Sequence, residues 1–290
     1  MARLFFALCV LAMAALSLSP GGADEVTLSV DLDEGAVVSN TTKVTALATS
    51  QAGIAEVVFE VDGEHARRDT STPYTFDWDT IEYDDGEHTL TVKATDLEGR
   101  TCTEQRKAVV DNQIALGAPF HTQAAEKLLE EGKVTEAILA GRKAVKAGPE
   151  DSAAAGVLGR AYYKAGRLDD ALTELDVAVE LDPKDQATRR LLMRANVERA
   201  EKPLPSDEEY AQYMGEAIRH CRVLEEQELA VFQDRVDREP TPQNRYDLGR
   251  ELIALGRYNE ALTEFRKAVQ AEPENIPYTN ALALAMLLTV

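Results

Sequence analysis

Residues 152–185 read SAAAGVLGRAYYKAGRLDDALTELDVAVELDPKD. Leu158, Gly159 and Tyr162 fall on one helix, and Ala171, Leu175 and Ala178 on a second. Between them Gly166 supplies the left-handed conformation that ends the first helix. Pro183 stops the second, because it lacks the N–H that a helix needs. The small residues Gly159 and Ala171 let the two helices approach closely, and Ala178 leaves room for the next unit. The same offsets occur earlier as Gly132, Ala137, Ala144 and Pro149, displaced by 34 residues, and again as Gly256, Ala261, Ala268 and Pro273. A fixed period of this length means stacked copies of one helix–turn–helix unit. The window around Leu248-Gly249 keeps Phe265 but has Leu252 in place of the aromatic. The earliest window is weaker at its start, with Ala124-Ala125 and Leu128.

The register breaks in the middle. Gly256 lies 90 residues beyond Gly166, which is not a multiple of 34. Gln186 to Ala200 reads as a further first helix, and Lys202-Pro203-Leu204-Pro205 interrupts any continuation of it. Ser206-Asp207-Glu208-Glu209 then forms an N-cap with acidic first-turn residues, opening a helical stretch to about Arg238, before Pro240 and Pro242. Residues 186–241 are therefore expected to hold one or two degenerate repeats with an inserted, elongated helix pair. Residues 276–290 begin another repeat, and Leu282, Leu284, Met286, Leu287 and Leu288 make its helix apolar on most sides. Terminal solenoid helices normally carry a polar outer face. Either this helix packs against something, such as a second copy, or the chain continues.

These windows resemble the tetratricopeptide repeat family. The resemblance implies an α-helical solenoid over 114–290, with clear repeats near 118–151, 152–185 and 242–275 and a partial one at 276–290. It also implies a concave groove that holds a protein or peptide, lined by the first helix of each repeat at repeat positions 2, 5, 9, 12 and 13. Carried onto this chain, those positions are Arg160, Tyr163 and Lys164, then Arg190 and Arg194, then Tyr246 and Arg250. A basic stripe in a chain of net charge −20 would focus field on one face. The expected occupant is an acidic peptide or chain terminus, its carboxylates paired with Arg160, Arg190 and Arg194. The bland alternative is ordinary solvated charges paired with neighbouring Asp and Glu. Gly156 and Val157 stand where two residues of the family's carboxylate clamp would be, so that clamp is not expected.

From Glu25 to about Asp111 the period changes to two, the spacing of half-buried strands. Val26, Leu28, Val30 and Leu32 alternate with polar residues, as do Val44, Ala46 and Ala48, then Val57, Phe59 and Val61. Tyr74, Phe76 and Trp78 share a face, as do Leu90, Val92 and Ala94, before a last run from Thr101 to Val110. Asp62-Gly63, Asp85-Gly86 and Glu98-Gly99 mark turns. The segments Val57–Gly63, Pro73–Thr80 and Asp85–Leu90 resemble bacterial immunoglobulin-like domains, which implies a β-sandwich over 24–113. The fold class is then multi-domain, all-β plus all-α: an immunoglobulin-like β-sandwich followed by an α-helical tetratricopeptide-repeat solenoid. Trp78 reads as core, with a sugar platform as the alternative. Asp77, Asp79, Asp84 and Asp85 read as turn chemistry, with a calcium site as the alternative. Asn40-Thr41-Thr42 fits a glycosylation sequon, which the bacterial resemblance makes idle.

At the start, Arg3 precedes an apolar stretch from Leu4 to Leu18, and Ser19-Pro20-Gly21-Gly22-Ala23 offers small residues for cleavage after Ala23. Residues 1–23 thus read as a signal peptide, with an uncleaved anchor as the alternative. The destination is periplasmic, cell-surface or extracellular, with no membrane span after cleavage. The acidic balance argues against nucleic acid. Cys102 and Cys221 fall in different domains and are expected as unpaired thiols. His65, His88, His121 and His220 fall singly, without metal-ligand spacing, and neither G-x-S-x-G nor a phosphate loop occurs. No cofactor, metal or catalysis is expected. The reading is an exported interaction scaffold or adaptor. Alternatives are a polysaccharide- or envelope-binding module that recognises through the sandwich, or an accessory subunit of a secreted enzyme complex.

Overall fold

The computed structural model describes residues 25–203 and 206–289, and the chain divides into two compact units after Gln113. The signal-peptide reading of 1–23, the Leu204-Pro205 part of the helix break and Val290 lie outside the described residues.

The first unit is built from β1 (Thr27–Val30), β2 (Ala36–Val38), β3 (Thr41–Thr49), β4 (Ile54–Val61), β5 (Glu64–Asp69), β6 (Tyr74–Asp79), β7 (Gly86–Asp96) and β8 (Thr101–Val110). One sheet has the order β1-β3-β6 and the other β2-β8-β7-β4-β5. The alternating residues from both close one apolar core around Val44, Phe59, Phe76, Trp78, Leu90 and Val92. The rings of Phe59 on β4 and Phe76 on β6 meet across it with centroids 5.7 Å apart. Each such side chain stabilises the fold by roughly 1.5–3 kcal/mol through burial. At the β4–β5 turn Asp62 and Gly63 both take positive φ, +52° and +85°, as a two-residue hairpin requires.

Two strands have no counterpart in the sequence reading. β5 is Glu-His-Ala-Arg-Arg-Asp, paired among the described residues only to β4. An edge strand of charged residues shows no apolar alternation, and such charge protects the edge from pairing with other chains. β2 is three residues long and runs parallel to β8, too short for any period to show. Trp78 and the turn acids have defined places in this unit. Trp78 is fully buried, so it is no sugar platform. Asp79 caps a short 3-10 turn at the Ile81 amide, and Asp85 accepts from the Asn112 amide at 2.7 Å.

The second unit contains α1 (Ala118–Glu130), α2 (Val134–Ala147), α3 (Ser152–Lys164), α4 (Leu168–Leu181), α5 (Gln186–Ala200), α6 (Asp207–Arg238), α7 (Pro242–Ala254), α8 (Tyr258–Ala271) and α9 (Ile276–Leu288). Sequential helices pack side by side, pair by pair and pair on pair. Gly132, Gly166 and Gly256 end α1, α3 and α7 at φ of +75°, +74° and +71°. Beyond Gly166, Arg167 donates to Tyr162 O and Gly166 itself to Tyr163 O, both at 3.0 Å, which satisfies carbonyls the helix end leaves open. Asp151 and Asp185 cap α3 and α5, each accepting two backbone amides.

In residues 186–241 the helix expected at 186–200 and the helical stretch expected to about Arg238 are present as α5 and α6. Among the described residues no further pair is inserted; α5 pairs with the single long α6. α6 runs 32 residues where α4 runs 14, an excess of 18. That accounts for most of the 22 residues by which the 90-residue spacing exceeds two 34-residue periods. The first half of α6 closes the α5 hairpin through Tyr213, packed on the cluster that holds Leu192 and Ala195, and through His220, and its second half presents Leu229 and Val236 to Leu248 and Leu252 of α7. No proline or glycine pair falls between these halves to break the helix.

Candidate functional site

The first helices of the repeats carry the residues singled out for the groove, and the structure sorts them into two places. Arg160, Tyr163 and Lys164 of α3 and Arg194 of α5 line a depression of about 480 Å³, together with Leu129 of α1 and Leu191 of α5. Tyr246 and Arg250 of α7 line a second one of about 420 Å³, floored by Ile253, Phe265, Ala281 and Leu284. Arg190 lines neither; it reaches across to Glu228 of α6 at 2.6 Å.

The first depression is mixed in charge. Glu126 and Glu130 of α1 share its lining, and Glu126 pairs with Arg160 at 3.0 Å. The two glutamates sit one 34-residue period before Arg160 and Lys164, so the repeat offsets already pointed to them. The weak start of the earliest window hid that correspondence. Tyr163 O–H donates to Glu198 at 2.9 Å. Burial first, then Glu198, pushes its phenol up, and a hydrogen bond from Arg194 works the other way. Lys164 makes no ion pair among the described residues, and it is exposed, as Arg194 is. What the place offers a ligand is therefore one unpaired ammonium and one guanidinium beside an apolar strip of Leu129, Tyr163 and Leu191.

The second depression is apolar with one cation at its rim. The Tyr246 ring stacks on Tyr278 at 5.0 Å, and the Arg250 guanidinium lies 5.9 Å from the Tyr246 ring centre. Cys102 and Cys221 are free thiols. Among the described residues no group of His, Cys, Asp and Glu has the geometry to hold a metal ion, and no helix is long and apolar enough to cross a membrane.

Family models agree with this architecture. A bacterial Ig domain model matches residues 21–92, and tetratricopeptide repeat models match 128–195 and 242–275. No curated protein matches the chain. Among solved structures, fibronectin(III)-like modules of Clostridium thermocellum CbhA are 26% identical over 31% of this chain and 48% of theirs, with a TM-score of 0.27. A thermophilic TPR protein of Thermus thermophilus is 21% identical over 59% of this chain and 100% of its own, with a TM-score of 0.35. MamA from Desulfovibrio magneticus is 17% identical over 59% of this chain and 84% of its own, with a TM-score of 0.27. The chain thus carries a bacterial immunoglobulin-like domain followed by tetratricopeptide repeats.

Proposed function

We propose that this protein is an exported, non-catalytic scaffold that holds an acidic peptide segment of a partner in the depression between α1, α3 and α5. The observation that carries the reading is the pairing of Lys164 and Arg194, both exposed, with the apolar strip beside them. In a chain of net charge −20 a local cationic excess draws carboxylates to one place. A ligand carboxylate bonds to these two groups, and a neighbouring apolar side chain rests on Leu129, Tyr163 and Leu191. Arg160 is already engaged by Glu126, so it contributes less than its position suggests. The alternative in which the β-sandwich recognises a polysaccharide lacks support: Phe59, Tyr74, Phe76 and Trp78 are buried and Tyr83 is half-buried, leaving no exposed aromatic strip in the described part of that unit.

Export rests on the Arg3-to-Ala23 pattern and on the company that bacterial immunoglobulin-like domains keep; N-terminal sequencing of the mature protein should start at Asp24. The apolar helix α9 exposes Ile276, Leu284, Met286 and Leu287, and a second copy is the proposed cover. The binding test is selection of a random peptide library on the immobilised full chain. Enriched peptides should place Asp or Glu beside leucine or an aromatic residue. Lys164→Glu with Arg194→Glu should weaken them by roughly tenfold or more; equal enrichment on that variant would discard the reading.

A further inference from the structure

A buried cation without an anion sits where α4, α5 and α6 meet. Arg189 of α5 is 6% exposed, yet it forms no ion pair among the described residues. Its Nη2 donates to Pro183 O at 3.1 Å, and its Nη1 lies 3.2 Å from His220 Nδ1 on α6, while its Nε is buried without a partner. His220 is itself 3% exposed. A guanidinium has no lone pair to offer, so His220 Nδ1 must be the acceptor and the ring's proton must sit on Nε2. That Nε2 is buried without a hydrogen-bond partner. Gln227 of α6 also donates to Pro183 O, at 2.7 Å. The carbonyl after α4 therefore ties α5 and α6 together, and the Arg189–His220 bond closes the knot.

We propose that this junction is a proton-operated latch: a proton taken at His220 Nδ1 replaces the acceptor for Arg189 with a donor, sets two buried cations face to face, and frees the first half of α6 from α5. The charged groups around the ring come from all three helices. Asp176 of α4 and Glu216 of α6 each approach Nε2 to 3.9 Å and would welcome a charged ring. Arg189 of α5 and Arg219 of α6 oppose it. Burial first, then Arg219 and Arg189, hold the ring below its ordinary pKa against the pull of Glu216. Asp176 is pushed up by burial and by Glu216, which brings its own protonation, and the loss of that counter-charge, closer to the range in which the ring titrates. The latched form thus binds the proton less well than the open form. Its stability is fully present above about pH 6.5, the open-form value, and falls below it, by roughly tenfold in the latching equilibrium for each pH unit until the latched-form pKa is reached.

α5 also carries Leu191 and Arg194, which line the peptide depression, so opening would disturb it; that consequence rests on the function proposed above, but the latch does not. Hydrogen–deuterium exchange of the full chain without ligand tests it alone, corrected for intrinsic rates, from about pH 7.5 to about pH 5. Amides of residues 186–200 and 207–224 should lose protection roughly tenfold across that range, while those of 152–181 hold. In His220→Gln, whose amide oxygen can accept from Arg189 but takes no proton, the loss should vanish. No selective loss in the wild type, or an equal loss in the variant, overturns the latch. Should the variant not fold, the wild-type His220 ring titrated by NMR decides: a midpoint below about 6.5 supports it, and one at or above that value removes it.

Discussion

His88 and His220 lie one in each unit, and a proton affects them in opposite senses. Both rings are largely withdrawn from water, with side chains 13% and 4% exposed, and both are bonded through Nδ1. His88 meets a carboxylate, Asp62 Oδ2 at 2.6 Å, and its Nε2 reaches Asp84 O at 2.8 Å. Burial opposes charge on that ring, and Asp62 and Asp84 overcome the penalty, so its pKa is raised. His220 meets a guanidinium, and burial and repulsion act together to lower it. The charge of the group one bond away decides the direction where burial alone would lower both. The β unit therefore strengthens its clasp in the same pH range in which the helical unit loses one.

The helical unit is also held in two ways, and the largest expected effect separates them. In the α3–α4 hairpin a Cβ on Gly159 would stand 2.7 Å from Leu175 Cγ and 3.1 Å from the Leu175 amide nitrogen. One period later Met193, half-buried, takes the corresponding place in the α5–α6 hairpin. Regular hairpins close by seating a large side chain on a glycine, Leu175 on Gly159 and Phe265 on Gly249, and the irregular one closes over buried polar groups. Gly159→Val should therefore cost about 1–3 kcal/mol by overpacking, read as a loss of helical dichroism at lower temperature. The fluorescence of Trp78, the chain's single tryptophan and a core residue of the β unit, should melt where it did before. A coincident shift of both signals would mean that the two units do not respond separately.

Next in size is Arg189→Gln. It removes the cation that repels a charged His220, so the ring should titrate closer to its ordinary value. It also leaves buried acceptors less well satisfied, at a cost of about 1–3 kcal/mol near neutral pH. An NMR titration gives the first quantity and thermal unfolding the second. If His220 titrates unchanged, the contrast with His88 comes from burial and not from the neighbouring charge.

Legibility in the sequence tracked the physics of each signal. Strands with one buried face announced themselves through alternation, as in Tyr74, Phe76 and Trp78, whereas β5, a charged edge strand, carries no such period. The regular hairpins were readable because Gly166 and Gly256 answer a backbone requirement that few other residues meet. The extent of α6 was readable from the Ser206 cap to the stop before Pro240; what was not readable is that this one helix packs on both α5 and α7, because length changes no local preference. Arg160 and Lys164 could be placed by repeat offset, and Glu126 and Glu130 could have been by the same rule. Arg189 could not: it adjoins Arg190, and nothing local tells a buried guanidinium from an exposed one.

The smallest effect tests the other half of the histidine comparison. Asp62→Asn keeps the turn, since Asn tolerates the positive φ found there, and its amide oxygen can still accept from the Thr89 amide, which bonds Asp62 Oδ1 at 2.8 Å. What it removes is the charge facing His88. With Asp62 almost half exposed, solvent screening limits the loss to about 0.2–1 kcal/mol. The raised His88 pKa fixes its pH window. The stabilisation is fully present below about 6.5, the unfolded value, and disappears as pH rises through the folded one. It also fails in strong acid: burial alone would raise the Asp62 pKa, but hydrogen bonds from Thr89 and His88 hold it below the usual value. Wild type and variant should therefore differ most between roughly pH 4 and 6.5, and their Trp78 melting curves should converge as pH rises through the raised His88 pKa. A gap that stayed constant through alkaline pH would show that Asp62 acts through the turn and not through the charge on His88.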